Sequence, residues 1–413
     1  MIARFAVLSA VAATAAASML WANAPAAQTS PQTSASSASS SAPAIPAPPG
    51  ARGGRGGGRG APGPQGPEPM VHDPVMIKEG DWYYVFRTSG LINSLRSKDL
   101  KTWTPYSHKE GERDVFTVFA DKPAWTSDIQ PNRADMWAPD ISHHDGKFFL
   151  YYCISTFGSN RSAIGLATNK TLDPTSPEFK WTDQGMVIES QRTDFYNCID
   201  PNAFWDKDGA GWLTFGSFYW NQGGRGGGGG QNPDAATKGG IMLVQLDPAT
   251  GKIKKDAQPK SIASRAFPQR AIEAPFLVRD GDWYFLFVSW DTCCQGVRST
   301  YRIMVGRSKS VTGPFLDKDN KNMLLGGGTQ VLAGDGDRII GPGHEGLLEE
   351  GAPGKPDHRW LLLYHFYDGH ANGISKLQVR PVTFDTGWPV LEEVINKPAD
   401  TPVPTQSAPA RNR

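Results

Sequence analysis

Residues 72–86 read HDPVMIKEGDWYYVF: an acid beside a proline, a short apolar run, a turn, then an aromatic-rich run. The pattern returns four more times, at intervals of roughly 60 to 73 residues. The later copies are Ala138-Pro139-Asp140 before KFFLYY, Ile199-Asp200-Pro201 before GWLTFG, Glu273-Ala274-Pro275 before DWYFLFV, and Pro342-Gly343-His344 before RWLLLYHF. Repeats at this period mean an array of like units, and units of short strands and turns mean propeller blades, not helical solenoids. The expected fold is all-β, a five-bladed β-propeller. The first strand of each blade lines the central channel, so Asp73, Asp200 and Glu273 are expected to meet at the axis with His344 beside them.

Each unit carries turn chemistry between its first two strands, as in Glu79-Gly80-Asp81, His144-Asp145-Gly146 and Arg279-Asp280-Gly281. A third strand follows: SLRSKDL, AIGLATN, IMLVQLDP, IMVGRSKS and KLQVRPV, whose alternation suits a half-buried position farther from the axis. No stretch has sustained helical periodicity. Most of the 13 tryptophans, Trp82, Trp212 and Trp283 among them, are expected to be blade packing.

The chain has 413 residues, with 42 basic against 41 acidic side chains, which gives no electrostatic reason to expect nucleic acid or an anionic membrane as partner. Residues 1–27, with Arg4, an apolar stretch and small residues at Ala24–Ala27, read as a secretory signal peptide too short and Ala-rich for a membrane anchor. Residues 28–69 are Ser, Ala, Pro, Gly and Arg, too poor in apolar groups to offset the entropy of ordering them, and read as a linker. Residues 70–397 are the expected propeller and 398–413 a second disordered tail. Arg-Gly repeats such as Arg52-Gly53-Gly54-Arg55 bind RNA inside cells, but behind a signal peptide a solvated spacer fits better. The expected protein is exported to the periplasm or medium, is not inserted in a membrane, and acts as a monomer.

Gly223–Gly230 (GGRGGGGG) is followed by no Gly-Lys-Ser/Thr and no helix, so it reads as a surface loop, not a phosphate cradle. The four cysteines, Cys153, Cys198, Cys293 and Cys294, match no zinc spacing, and adjacent cysteines bridge each other only with backbone strain. Cys198, two residues from Asp200, is a candidate for the pocket wall, and Cys153 reads as a small buried residue.

Glycoside hydrolysis needs two carboxylates across an acetal, one protonated and one ionised. A third acid nearby holds the proton on the right partner, because like charges raise a neighbour's pKa. One Asp-Pro at a strand start is usually a turn, but buried carboxylates recurring along a channel cost free energy unless paired or used. Asp140, displaced by one residue from the Asp-Pro register, is expected to be structural.

The segments HDPVMIKEGDWYYVF, WAPDISHHDGKFFLYYCISTFGSNRSAIGLATN, NCIDPNAFWD, GSFYW, AIEAPFLVRDGDWYFLFVS, STYRIMVGRSKSVTGPF, GGGTQVL, GPGHEG and KLQVRP together resemble the endo-1,5-α-L-arabinanases of glycoside hydrolase family 43. The resemblance runs in order from His72 to Pro389. It implies a five-bladed propeller that hydrolyses arabinan with inversion, and no organic cofactor. By position, Asp73 matches the family's general base, Glu273 its general acid, and Asp200 the residue that orients the acid and raises its pKa. His344 matches a histidine beside a cation, usually calcium, although Glu345-Gly346 follows where the family commonly has Asn and a small residue. Trp137, Phe157, Gly158, Asn197, Ser217 and Phe218 match substrate contacts. The expected activity is endo-hydrolysis of α-1,5-L-arabinofuranosidic bonds in arabinan. The alternative is an exo-acting α-L-arabinofuranosidase or β-xylosidase on the same scaffold, differing in loops. A retaining fructan-active propeller fits less well, since blade three has Ile199-Asp200-Pro201 and no Arg-Asp-Pro, and a sugar-binding propeller without catalysis would be expected to lose one of the three acids.

Overall fold

The second strand of each repeat is apolar on both faces, and that decides how the repeats assemble. In Trp82–Arg87, Tyr84 and Phe86 pack against the next repeat, in a cluster with Leu150 and Tyr152. Tyr83 and Val85 point the other way, into a cluster with Leu361 and Leu363 of the last repeat. Successive side chains alternate faces along a strand, so a near-continuous apolar run marks a sheet covered on both sides.

The computed structural model describes residues 63–217, 239–265 and 271–398. Among these residues five four-stranded antiparallel sheets stand as blades, with a small separate hairpin, His108–Glu110 with Arg113–Val115. Blade one is Val75–Glu79, Trp82–Arg87, Asn93–Ser97 and Thr104–Pro105. Blade two is Trp137–His144, Lys147–Ile154, Ser162–Asn169 and Thr182–Ser190. Blade three is Asn202–Trp205, Gly211–Phe215, Ile241–Leu246 and Lys260–Ala263. Blade four is Ile272–Asp280, Trp283–Trp290, Arg302–Ser308 and Thr329–Leu332. Blade five is Ile339–Glu350, Arg359–Asp368, Ile374–Thr383 and Val390–Leu391.

Five apolar clusters lie one between each pair of neighbouring blades, the last joining blade five to blade one. The ring is therefore closed, and the five-bladed propeller expected from the repeat is the fold. Removing one buried aromatic such as Phe86, Phe215 or Phe287 would cost about 3 to 5 kcal/mol through lost burial and a residual cavity. The tryptophans assigned to packing do pack, half-buried against these clusters, with Arg96 stacked 4.4 Å over Trp82 and Arg307 4.1 Å over Trp283.

The first hairpins close as their sequences indicate. His144 pairs with Lys147 across Asp145 and Gly146, whose φ values of 46° and 72° make the turn whose twist matches the strands. The short fourth strands carried no legible pattern. Residues of the compositional linker join the ring: Gln65 pairs with Trp103, and Pro67 O and Pro69 O accept from Asn396 Nδ2 (2.6 Å) and Leu377 N (3.0 Å). Composition does not report such contacts, because backbone carbonyls make them. Residues 1–62, 399–413 and Gly223–Gly230 lie outside the described residues. Among the described residues no helix is long and apolar enough to cross a membrane.

Candidate active site

At the axial start of every blade one residue turns into the left-handed region: Asp73 (φ 48°), Ala138 (46°), Asp200 (53°), Ala274 (51°) and His344 (50°). Non-glycine residues adopt this conformation at a cost of about 1 to 2 kcal/mol each, so five in register mark a built feature. Each backbone N–H is caught by a side chain. Thr88 Oγ1 accepts from Ala138 N (2.7 Å), Asp200 Oδ2 from Ala274 N (3.0 Å), Ser289 Oγ from His344 N (2.9 Å) and His365 Nδ1 from Asp73 N (3.2 Å). The Cys153 sulfur accepts from Asp200 N. Each acceptor lies in the blade before the residue it holds, so these bonds stitch the ring and aim the first strands at the axis.

In this register Asp73 and Asp200 occupy the kinked position itself, and Glu273 stands one residue before it. The axis brings all three together: Asp200 feels the charges of Glu273 and Asp73, and Glu273 that of Asp73. A cavity of about 10 Å³ on the axis, room for about one water, is lined from all five blades, including Asp140, Asp200, His344 and Glu345.

Asp73 is held as an anion. Its Oδ2 accepts from Thr88 Oγ1 at 2.6 Å, and its Oδ1 lies 2.9 Å from His72 Nδ1 and 3.2 Å from His344 Nδ1. Burial alone would raise its pKa, but the adjoining imidazoles and the hydrogen bond from His72 outweigh it and hold the carboxyl well below the usual range. His344 and His365 are neutral near pH 7, because burial lowers both. Around neutrality the anion therefore rests on donated hydrogen bonds and on His72. Burial pushes His72 down, yet the Asp73 carboxylate and its hydrogen bond more than restore it, and its pKa ends raised.

The opposite side keeps its protons. Burial raises Glu273 to about 7, against a hydrogen bond from the Tyr301 hydroxyl that lowers it. Asp200 is also raised, by burial first and then by the charges of Glu273 and Asp73. Glu345 is pushed up to about 8 by burial, with Oε2 accepting from Ser289 Oγ at 2.8 Å and Oε1 buried without a hydrogen-bond partner among the described residues. Asp140 is raised to about 7 by burial, while its oxygens accept from Asn202 Nδ2 (3.2 Å) and Ala203 N (2.7 Å) and so clamp blade two to blade three.

The donor chemistry at His344 suits a cation. With Nδ1–H directed at Asp73, its Nε2 carries the lone pair of a neutral ring. His72, Asp73 and His365 also bring ligand-type atoms within 4.8 Å of one another. On these rings His72 Nδ1 already donates to Asp73 and His365 Nδ1 already accepts from Asp73 N.

The remaining sequence candidates scatter. Phe157 is 66% exposed on the loop after the second strand of blade two, with Gly158 beside it at φ 78°. Trp137 starts the first strand of blade two, and its carbonyl accepts from Cys153 Sγ (3.3 Å). Asn197 is buried, its amide spanning Ser162 Oγ (2.6 Å) and Ser217 Oγ (3.2 Å), so it joins Ser217 in a wall. Phe218 lies outside the described residues. Cys198 is buried in the core between blades two and three, and Cys153 is the buried acceptor described above. Sequence reasoning disfavoured a bridge between neighbouring cysteines, yet Cys293 and Cys294 are joined. It also missed His72, Thr88, Ser289, Tyr301, His365 and Tyr367. Thr88, Cys153 and Ser289 each follow the kinked residue of their own blade by the same interval (73 to 88, 138 to 153, 274 to 289), a signal that was there to find.

Residues 68–389 match the family model described as Glycosyl hydrolases family 43. The extracellular endo-α-(1→5)-L-arabinanase 1 of Bacillus subtilis is 40% identical to the chain over 326 residues, 78% of this chain and 87% of that one. The extracellular exo-α-(1→5)-L-arabinofuranosidase ArbA of Cellvibrio japonicus is 38% identical over 338 residues, 78% of this chain and 86% of that one. The solved structure of the Cellvibrio cellulosa α-L-arabinanase complexed with arabinohexaose superposes with a TM-score of 0.67 at 36% identity, covering 79% of this chain and 96% of that one.

Proposed function

The chain belongs to family 43 of the glycosyl hydrolases, and we propose that it hydrolyses α-1,5-L-arabinan at internal bonds with inversion, outside the cytoplasm and as a monomer. The observation that carries the chemistry is the contrast on one axis: Asp73 with its pKa lowered, Glu273 with its pKa raised. Asp73 takes a proton from water as the water oxygen bonds the anomeric carbon. Glu273 gives its proton to the leaving O5 as the glycosidic bond breaks. Burial first and then the Asp73 charge hold the proton on Glu273 until it is needed, and Asp200 adjoins it as the residue that orients the acid. Trp137 and Phe157 offer ring faces for sugar stacking, Gly158 leaves room beside Phe157, and the Asn197–Ser217 wall bounds the groove, with Phe218 next along the chain.

Internal cutting is supported by the similarity to the Bacillus enzyme, and an exo mode by the similarity to the Cellvibrio one. Timed digestion of linear 1,5-α-L-arabinan by the full chain separates them. Internal cutting predicts a fast viscosity drop, short oligosaccharides and products of inverted anomeric configuration by ¹H NMR. Monosaccharide or one fixed short oligomer released at near-constant viscosity would assign the exo mode, and retained configuration would overturn the single-displacement step.

His344, through Nε2, with Glu345 Oε1 nearby in the cavity lining, would hold calcium mainly through water. Such a charge favours the ionised form of neighbouring carboxylates and orders water at the axis. Chelation is expected to lower Tm, calcium to restore it, and His344→Ala to remove both responses. A Tm indifferent to chelator would remove the ion from the account.

A further inference from the structure

The connection Asp291–Tyr301, between the second and third strands of blade four, touches both sides of the axial site. At its end Tyr301 donates to Glu273. Near its start are the joined cysteines, Cys293–Cys294, both half-buried, with Cys294 at φ 68°. From there a polar chain runs inward. Cys294 N–H donates to Tyr367 Oη at 2.7 Å, Tyr367 Oη meets His72 Nε2 at 3.0 Å, and His72 Nδ1 meets Asp73 Oδ1 at 2.9 Å. Cys294 Sγ also lies 3.9 Å from His72 Nε2, and the His72 ring stacks on His365 at 4.3 Å.

The proton bookkeeping fixes a direction. Asp73 only accepts, so His72 Nδ1 carries a proton aimed at it. With His72 neutral, Nε2 is bare and the Tyr367 hydroxyl donates to it, its lone pair in turn taken up by Cys294 N–H. With His72 charged, Nε2–H donates to the same oxygen. In both states Cys294 N–H occupies one side of Tyr367 Oη and holds it against His72. That N–H is presented by a residue in a left-handed conformation that an unconstrained side-chain-bearing residue seldom keeps. The connection is braced besides, by Gln295 N to Ser299 Oγ (3.0 Å) and Thr300 N to Thr292 O (2.9 Å).

We propose that the Cys293–Cys294 disulfide positions the base: by fixing Cys294 N–H against Tyr367 it holds His72 so that its Nδ1 proton orients Asp73. This rests on the reading of Asp73 as general base. Cys293, Cys294, Tyr367 and His72 are positioning residues, reaching the reaction only through Asp73. Loss of the disulfide lets the N–H leave Tyr367, and His72 then loses its fixed ring orientation against Asp73.

The test opens the bridge in the full chain two ways, by the Cys293→Ser/Cys294→Ser double variant and by a dithiol acting on the folded wild type. In the second case the dithiol closes its own disulfide and passes two electrons and two protons to the cysteines, leaving two thiols. Expected in both is a fall in kcat on linear arabinan of about tenfold with KM within about twofold, as for loss of one hydrogen bond that aligns a charged group. Tyr367→Phe should fall similarly, and combining it with the serine variant should add little further loss, because both cut one chain. ¹⁵N imidazole spectra should show His72 protonated at Nδ1 in the wild type, with its Nε2 signal shifted and broadened once the bridge opens and the Tyr367 contact loosens. Asp73→Asn separates the failures. If it turns over like wild type, the base assignment falls. If it loses turnover while opening the bridge changes neither kcat nor the His72 spectrum, only the role of the disulfide falls.

Discussion

Asp73 and Glu273 are both buried at the start of a blade, yet their surroundings push them in opposite directions. Asp73 is ringed by donors from its own and neighbouring blades, Thr88, His72 and His344, while Glu273 has one hydroxyl donor and two acidic neighbours. The difference teaches that burial does not set the charge of a carboxylate here, since burial raises both. The neighbours decide: the imidazoles beside Asp73 and the hydrogen bond from His72 outweigh its burial, whereas the one hydroxyl on Glu273 does not outweigh the burial there. A ring that delivers donors to one side and acids to the other has divided acid from base before any substrate arrives.

The severest way to break the contrast is to remove either pole. Asp73→Asn and Glu273→Gln are each expected to lower kcat on arabinan by about 10² to 10⁴, with far-UV circular dichroism and Tm close to wild type. A milder break removes one donor from the base: Thr88→Val keeps the shape but loses the bond to Asp73 Oδ2 and leaves Ala138 N–H without its acceptor, so kcat should fall about tenfold and Tm should fall with it. The acid pole is sharpened by pH. Glu273 works protonated, so activity is present below its raised pKa and lost as pH rises through about 7, and the Asp200–Glu273 pair titrates as a unit. The lowered pKa of Asp73 moves loss of the base below the ordinary carboxylate range, leaving the rate flat on the acid side. Tyr301→Phe removes a bond that lowers the Glu273 pKa, so the descending limb should shift upward.

Asp140 gives the smallest effect on turnover, because its oxygens stitch blades and it lies outside the reacting pair. Asp140→Ala leaves buried donors of Asn202 and Ala203 unpaired and should cost about 2 to 4 kcal/mol of stability, with kcat within threefold at 25 °C. Its folded pKa of about 7 exceeds the unfolded carboxylate value, so its contribution is full below that value and fades as pH rises through about 7. The Tm deficit of the variant should therefore be larger at pH 5 than at pH 8.5.

Much of this was legible in the chain because the repeat is strong. The kinked residue, the apolar second strand and the hairpin turns recur in sequence, so five blades and the convergence of Asp73, Asp200, Glu273 and His344 followed from register. The network around the acids was harder to see. Tyr367 comes beside His72 only after blade five closes on blade one, a contact between residues 295 apart that local patterning does not encode. Asn197 looked like a substrate contact by position, but its amide is taken up by Ser162 and Ser217, partners set by packing. The joined cysteines were read against because strain was weighed without the tertiary contacts that make a left-handed Cys294 useful.

The central claim is that one axial carboxylate stays ionised while the facing pair keeps its proton. It is tested most directly by ¹³C NMR titration of the side-chain carboxyls, labelled at Asp Cγ and Glu Cδ, with Asp73→Asn and Glu273→Gln assigning the signals. The expected result is an Asp73 signal that stays in the ionised range throughout the folded pH window while the Glu273–Asp200 pair titrates well above the ordinary carboxylate range. A common titration of all three at the ordinary carboxylate pKa of about 4 would contradict the division of roles.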